Sequence, residues 1–273
     1  MTHTIEQAIP ARTTEQLRIN FWQILFVVFV ILSISICEYV FTYQNVAFGI
    51  VSALALTILI YFVVSVSNLD QRIAACAESL VLVPLYILFT SSLPWFLVNQ
   101  QYLLPLVYTC IIGLCLWHIL QNNLSLKEIF GFNKGRILKY SLIGLVIGIP
   151  TGVVEYLILQ PAPTFPEFSL IYFFRDMVYM FICVSVAEEV LFRGLIQKDL
   201  AVAFGWKWAL FGSSILFMVM HLTWRSIPEL GFVFIAGLIF GGLYLKTRSL
   251  VAPIMMHGVN NLILVAVAPY VLG

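Results

Sequence analysis

Residues 170–194 read LIYFFRDMVYMFICVSVAEEVLFRG, an apolar stretch that carries two adjacent glutamates and an arginine near its end. A helix needs about 20 apolar residues to cross the hydrocarbon core of a bilayer, and residues 170–192 meet that length. An ionisable side chain at the centre of a membrane helix costs about 2.5–3.5 kcal/mol on insertion scales, so such groups persist where they are paired or used. Composition says that the stretch does lie in lipid. The chain has 273 residues, 62% of them hydrophobic and 10% charged, with a mean hydropathy of +1.01. A soluble domain carries roughly 25% charged residues, so these charges are too few to cover a globular surface. The net charge of +1 gives no electrostatic basis for binding nucleic acid.

Outward from that stretch, the same length criterion finds nine spans, at 20–41, 46–66, 78–98, 101–120, 139–159, 170–192, 206–222, 229–246 and 250–270. The breaks are Thr42 to Asn45, Asn68 to Arg72, Asn99 to Gln101 and the proline-rich Gln160 to Pro166. The expected fold is all-α, a polytopic membrane helix bundle of about nine transmembrane helices, with eight as the alternative. Three regions follow: a tail over 1–19, N-terminal helices with a surface segment over 20–138, and a C-terminal core over 139–273. In the surface segment Leu124, Leu126, Ile129, Phe130 and Phe132 alternate with Lys127, Glu128, Lys134 and Arg136, the pattern of an amphipathic helix lying on the bilayer. With nine spans, Arg12, Arg18, Arg72, the cluster Lys127 to Lys139, Lys198, Lys207, Lys246 and Arg248 share one side, and Arg225 alone takes the other. By the positive-inside rule the N-terminus is cytoplasmic. The first apolar run is too long for a cleavable leader. Five cysteines, Cys37, Cys76, Cys110, Cys115 and Cys183, are scattered in apolar runs and read as small apolar side chains, not as disulfides or metal ligands.

The active-site candidates all fall in the C-terminal half. Glu189 and Arg193 are four residues apart, on one helical face, and can pair. Glu188 points about 100° away and is left without that partner. Adjacent carboxylates in a low dielectric resist double ionisation, which makes Glu188 a candidate general base. A purely structural ion pair would explain Glu189 and Arg193 but not Glu188. His221 closes the run from Phe217, and His257 precedes Asn261 by one helical turn. Neutral imidazole can bind a metal, hold a water or stabilise developing charge. His118 reads as interfacial beside Gln121 and Asn122, and His3 as part of the tail. Glu38, Glu78 and Glu155 read as interfacial, and Arg175 and Asp176 as local pairing partners.

Helix arithmetic brings the candidates together. With Gly205 as the turn between antiparallel helices, Glu188 and His221 each lie about 16 residues from it, roughly 25 Å at 1.5 Å per residue. His257 reaches the same level if the Gly205 hairpin extends about 12 Å beyond the bilayer. Residues 223–229 would then sit at membrane depth, which non-helical backbone tolerates only where it is buried or lines an aqueous cavity.

The ordered set Glu-Glu-x-x-x-Arg (188–193), Phe-x-x-x-His (217–221) and His-x-x-x-Asn (257–261) resembles the CPBP family of intramembrane proteases. That family includes the type II CAAX prenyl proteases and the bacteriocin-processing or immunity (Abi) proteins. The resemblance covers about residues 170–265. It implies a hydrolase in which Glu188 activates water with help from His221, Glu189 and Arg193 shape the site, and His257 and Asn261 complete it. It implies as substrate a membrane-embedded or lipidated peptide at the bilayer, and as location a multi-pass cell membrane, with the compact loops suiting a bacterial plasma membrane. Members have been described both as metalloproteases and as metal-free glutamate enzymes. Two histidines and one glutamate are a chemically reasonable zinc set, so Glu188, His221 and His257 are candidate ligands of a divalent metal, and both schemes stay open at this point. Two non-enzymatic readings compete: a transporter or scaffold using the buried charges, and a catalytically silent immunity or partner-binding factor. The crowding of polar groups at one end of the chain favours a localised site over the paired halves common in transporters.

Overall fold

The computed structural model describes residues 19–93 and 102–273. The expectations for the tail before residue 19, including His3, Arg12 and Arg18, and for the break at Asn99 to Gln101 lie outside the described residues. Ten helices are used below: α1 (Phe21–Gln44), α2 (Val46–Val66), α3 (Gln71–Ser91), α4 (Leu103–Gln121), α5 (Leu126–Phe130), α6 (Ile137–Leu159), α7 (Leu170–Phe204), α8 (Trp206–Val219), α9 (Ile227–Thr247) and α10 (Val251–Val271). Several begin at polar residues whose side chains accept from the first turn, as N-caps do. Asn20 takes the Gln23 amide, Asn45 that of Phe48, Asp70 that of Arg72, and Ser226 that of Glu229.

Among the described residues eight of these helices are long and apolar enough to cross a membrane. Large apolar side chains such as Trp22, Phe29, Val51, Phe62 and Leu142 face outward, where lipid is their solvent. The ninth expected span, 206–222, is replaced by α8, which has 14 residues and so reaches about 21 Å, short of a hydrocarbon core of about 30 Å. Its helix stops because the chain reverses at His221, where the Nδ1 atom bonds back to the Phe217 carbonyl at 2.8 Å. A 3-10 turn over Leu222–Trp224 follows, and this connection is largely exposed, with Trp224 at 49% and Ile227 at 84%; Thr223 and Trp224 line a cavity and only Glu229 is fully buried.

α7 has 35 residues, roughly 50 Å of helix, and it carries on past the span to the turn at Gly205, whose φ of +84° suits glycine. α3 starts earlier than the sequence suggested. Asp70 caps it, and Ile73, Cys76, Ala77 and Leu80 bury one face of its first turns. The surface segment is helical only over α5, and it is clamped to the bundle: the Leu250 amide and the Ser249 hydroxyl both donate to the Phe130 carbonyl. Together with the Tyr140 hydroxyl on Thr247 O, this gathers Lys127, Arg136, Lys246 and Arg248 at one end of the bundle. Arg225 donates to the Thr42 carbonyl at 2.6 Å, in the last turn of α1. All five cysteines are free.

One close approach fixes the C-terminal half. Gly144, Gly148 and Gly152 form a stripe on α6, and a Cβ on any of them would stand 2.6 Å from a backbone carbonyl of α10, those of Ala252, Met256 and Asn260 respectively. Small residues every fourth position let membrane helices touch backbone to backbone. This contact sets the position of α10, and with it that of His257.

Candidate active site

Glu188 and Glu189 sit where α7 is irregular. The α-helical turn Val186–Glu189 lies between two segments wound with i to i+5 bonds, Tyr179–Ser185 and Val190–Gln197. Such wide turns in membrane and soluble helices concentrate at functional sites. Here they swing both carboxylates inward: Glu188 is 7% exposed and Glu189 and Arg193 are not exposed at all.

The expected pair is present. Arg193 Nη1 donates to Glu189 Oε1 at 3.0 Å, and Nη2 donates to the Gly237 carbonyl of α9 at 3.2 Å. The guanidinium also lies 4.4 Å from the centre of the Phe217 ring and 5.1 Å from that of Phe240, so its charge is met on its faces as well as its edges. Glu189 Oε1 also bonds His257 Nδ1 at 2.8 Å. With Nδ1–H on a carboxylate, the free position of the ring is Nε2. That atom stands 3.7 Å from Glu188 Oε2, too far for a direct hydrogen bond. The ring is further held by stacking on Phe240, with centroids 4.9 Å apart and planes 17° from parallel.

Glu188 has a partner that the motifs do not contain. The Tyr108 hydroxyl of α4 donates to Glu188 Oε1 at 2.8 Å, while Oε2 has no protein partner. Both residues line a cavity of about 300 Å³ whose wall also includes His221, Thr223, Tyr86 and Glu38. His221 donates Nδ1–H to Phe217 O, since a carbonyl can only accept, so its Nε2 is the free ring nitrogen. Glu188 and His221, placed at one depth by helix counting, therefore share one cavity, and His257 meets both glutamates.

Asn261 stands differently. It is half-buried and accepts from Asn260 at 3.4 Å, and it makes no hydrogen bond to His257. Asn260 is the buried one, and its amide donates to Glu155 Oε2. Positions three and four residues after His257 both share its face, and spacing alone does not choose between them. Glu38 and Glu155, expected at the interface, are 3% and 6% exposed, because α1 and α6 continue past them and turn them into the bundle. His118 is likewise buried, with Asn122 on its Nδ1. Arg175 and Asp176 pair with each other.

The zinc set does not assemble from these positions. Among the described residues no three His, Cys, Asp or Glu side chains are placed to hold one ion. Glu188 and His257 are neighbours, and His221 lines the cavity with Glu188; both histidines commit Nδ1 to an acceptor and keep Nε2 free.

Residues 170–263 match the family model described as type II CAAX prenyl endopeptidase Rce1-like, in agreement with the resemblance carried by the three motifs. The matched segment contains Glu188, Glu189, Arg193, His221, His257 and Asn261. No curated protein and no solved structure matches the chain.

Proposed function

We propose that this CAAX-protease-type membrane protein is an endopeptidase that cleaves a membrane-associated peptide or the lipidated end of a protein, with a water activated by Glu188. The observation that carries the reading is the state of Glu188: one oxygen is held by Tyr108, and the other faces His257 Nε2 across 3.7 Å with no protein partner, at the wall of a cavity. A carboxylate so placed takes a proton from the attacking water. The water oxygen bonds to the scissile carbonyl carbon, and His257, present as the imidazolium before attack, donates its Nε2–H to the oxyanion. Glu189 supports that positive charge and orients the ring, as the acidic member of a catalytic triad does. Glu188 then returns its proton to the leaving nitrogen as the C–N bond breaks, which gives an amine and a carboxylic acid that loses its remaining proton to the amine or to solvent. His221 Nε2, on the cavity wall, orients the water or the substrate amide.

A lipid-modified substrate is supported by an apolar groove of about 720 Å³ lined by Tyr61, Leu85, Phe89, Leu114 and Trp117 among others. Leu85 is the neighbour of Tyr86 in α3, so the groove and the cavity share a helix. We place the basic end of the bundle in the cytoplasm, by the charge rule, and the protein in a bacterial plasma membrane.

The test is cleavage of fluorogenic peptides, with and without an attached isoprenoid, by purified protein in nanodiscs. Wild type is expected to cleave, and Glu188→Gln to be at least about 100-fold slower, the lower range of losing a positioned general base. Full activity in a folded Glu188→Gln protein would sink the assignment.

A further inference from the structure

The cavity that holds Glu188 contains a second carboxylate that the hydrolytic mechanism does not use. Glu38 comes from α1, outside the matched segment, and lines the cavity at 3% exposure. Its Oε2 has no hydrogen-bond partner. An unpaired buried carboxylate is expensive, and in a membrane helix such a residue is a functional candidate by default. Among the described residues the wall of the cavity carries Glu38, Glu188 and His221, the hydroxyls of Tyr86, Tyr108, Thr90 and Thr223, and no lysine or arginine. The one cation in the adjoining loop, Arg225, is turned away: it donates to Thr42 O and lies 5.5 Å from the Tyr43 ring centre.

Two acidic groups facing one small enclosed space without a counter-charge give a negative field that low dielectric walls intensify. A cationic group entering the cavity would supply what Glu38 lacks. Glu188 does not compete equally for it, because Oε1 is already occupied by Tyr108. The geometry points to Glu38 as a specificity-determining residue that binds an ammonium or guanidinium group of the substrate, so that the protein prefers peptides with a basic residue next to the scissile bond. This rests on the peptidase reading above, and it names the substrate class that the same site selects.

Binding tests it separately from cleavage. Short fluorescent apolar peptides with blocked termini, differing at one central position as lysine, norleucine or glutamate, are titrated against the full-length protein in nanodiscs. A norleucine peptide with a free α-amine serves as a fourth probe. Wild type is expected to bind the lysine peptide at least about tenfold more tightly than norleucine, and glutamate most weakly, in line with the cost of unmatched buried charge pairs. Glu38→Gln should erase the lysine preference, by weakening the lysine peptide at least about tenfold relative to norleucine. Glu38→Asp, which keeps the charge, should retain it. Tighter binding of the free-amine probe than of the lysine probe would assign the cation to a peptide N-terminus and overturn the side-chain preference. A lysine preference that survives in Glu38→Gln, or an equal loss for lysine and norleucine peptides, overturns the role of Glu38. If Glu38-dependent binding is found and no peptide is cleaved, the peptidase reading fails while the cation site stands.

Discussion

The Tyr108 hydroxyl donates to Glu188 Oε1 at 2.8 Å, across 80 residues of sequence. It ties α4, which lies outside the matched segment, to the glutamate that the matched segment supplies. With Oε1 held, the carboxylate cannot rotate freely, and Oε2 is the oxygen presented to His257. A hydrogen bond to a charged group contributes about 1.5–3 kcal/mol.

Tyr108→Phe removes that bond and keeps the ring. It should lower kcat by roughly 10- to 100-fold, the rate equivalent of about 1.5–3 kcal/mol. KM should change little, because the hydroxyl holds the base and not the bulk of the substrate. Steady-state kinetics on the wild-type and variant proteins, at equal thermal stability, read this out. A Tyr108→Phe enzyme with wild-type kcat would show that Glu188 is positioned without α4.

Arg193 is buried completely, between Glu189, the Gly237 carbonyl and two aromatic rings. Arg193→Met leaves Glu189 as a buried carboxylate with His257 as its one remaining partner. Removing one member of a buried pair costs about 3–5 kcal/mol. The expected result is a large fall in the unfolding temperature in detergent and loss of monodispersity, ahead of any kinetic effect. Glu189→Gln should be milder in stability, since its amide oxygen still accepts from Arg193, and more severe in rate, since a neutral amide no longer supports charge on His257.

The membrane bundle, and the proximity of several candidate side chains, are legible in the sequence because both rest on local patterns. Span length identified the helices, and the i, i+4 spacing paired Glu189 with Arg193. Equal distances from Gly205 brought Glu188 and His221 to one cavity. What was not legible depends on contacts between distant segments. Tyr108 and Glu38 look like ordinary residues of apolar helices, and only the packing of α4 against α7, and of α1 against α3 and α8, brings them to the cavity of Glu188. The short α8 was hidden as well, since the apolar run continues to Leu222 while the helix ends at Val219. A tertiary demand, the delivery of His221 to the cavity, overrides hydropathy there. The glycine stripe on α6 was visible as a pattern at four-residue spacing, and its meaning needed the partner helix.

The donor geometry carries a prediction about metal. Because Glu188, His221 and His257 do not converge as a set, protein purified without added metal should hold less than one equivalent of zinc. Cleavage should also persist through treatment with a strong chelator. Elemental analysis and activity on the same sample decide it. Stoichiometric zinc, lost together with activity on chelation and restored on its return, would require the three residues to rearrange around an ion.

Gly148 offers a test of how α6 positions the site without touching it. A Cβ there would stand 2.6 Å from the Met256 carbonyl and 2.8 Å from Val259 Cβ, so Gly148→Ala must push α10 away from α6. Overpacking of this kind costs about 1–3 kcal/mol, and the displaced backbone belongs to the residue that precedes His257. The 3.7 Å separation of His257 Nε2 from Glu188 Oε2 should change, and misplacement by about 1 Å can cost roughly 100-fold in rate. Gly231→Ala on α9 is the control: a Cβ there meets nothing within 4 Å, and both stability and rate should be kept. If Gly148→Ala loses stability but retains full kcat, the α6–α10 contact holds the fold alone, and His257 must be positioned by Glu189 and the stacked Phe240 ring.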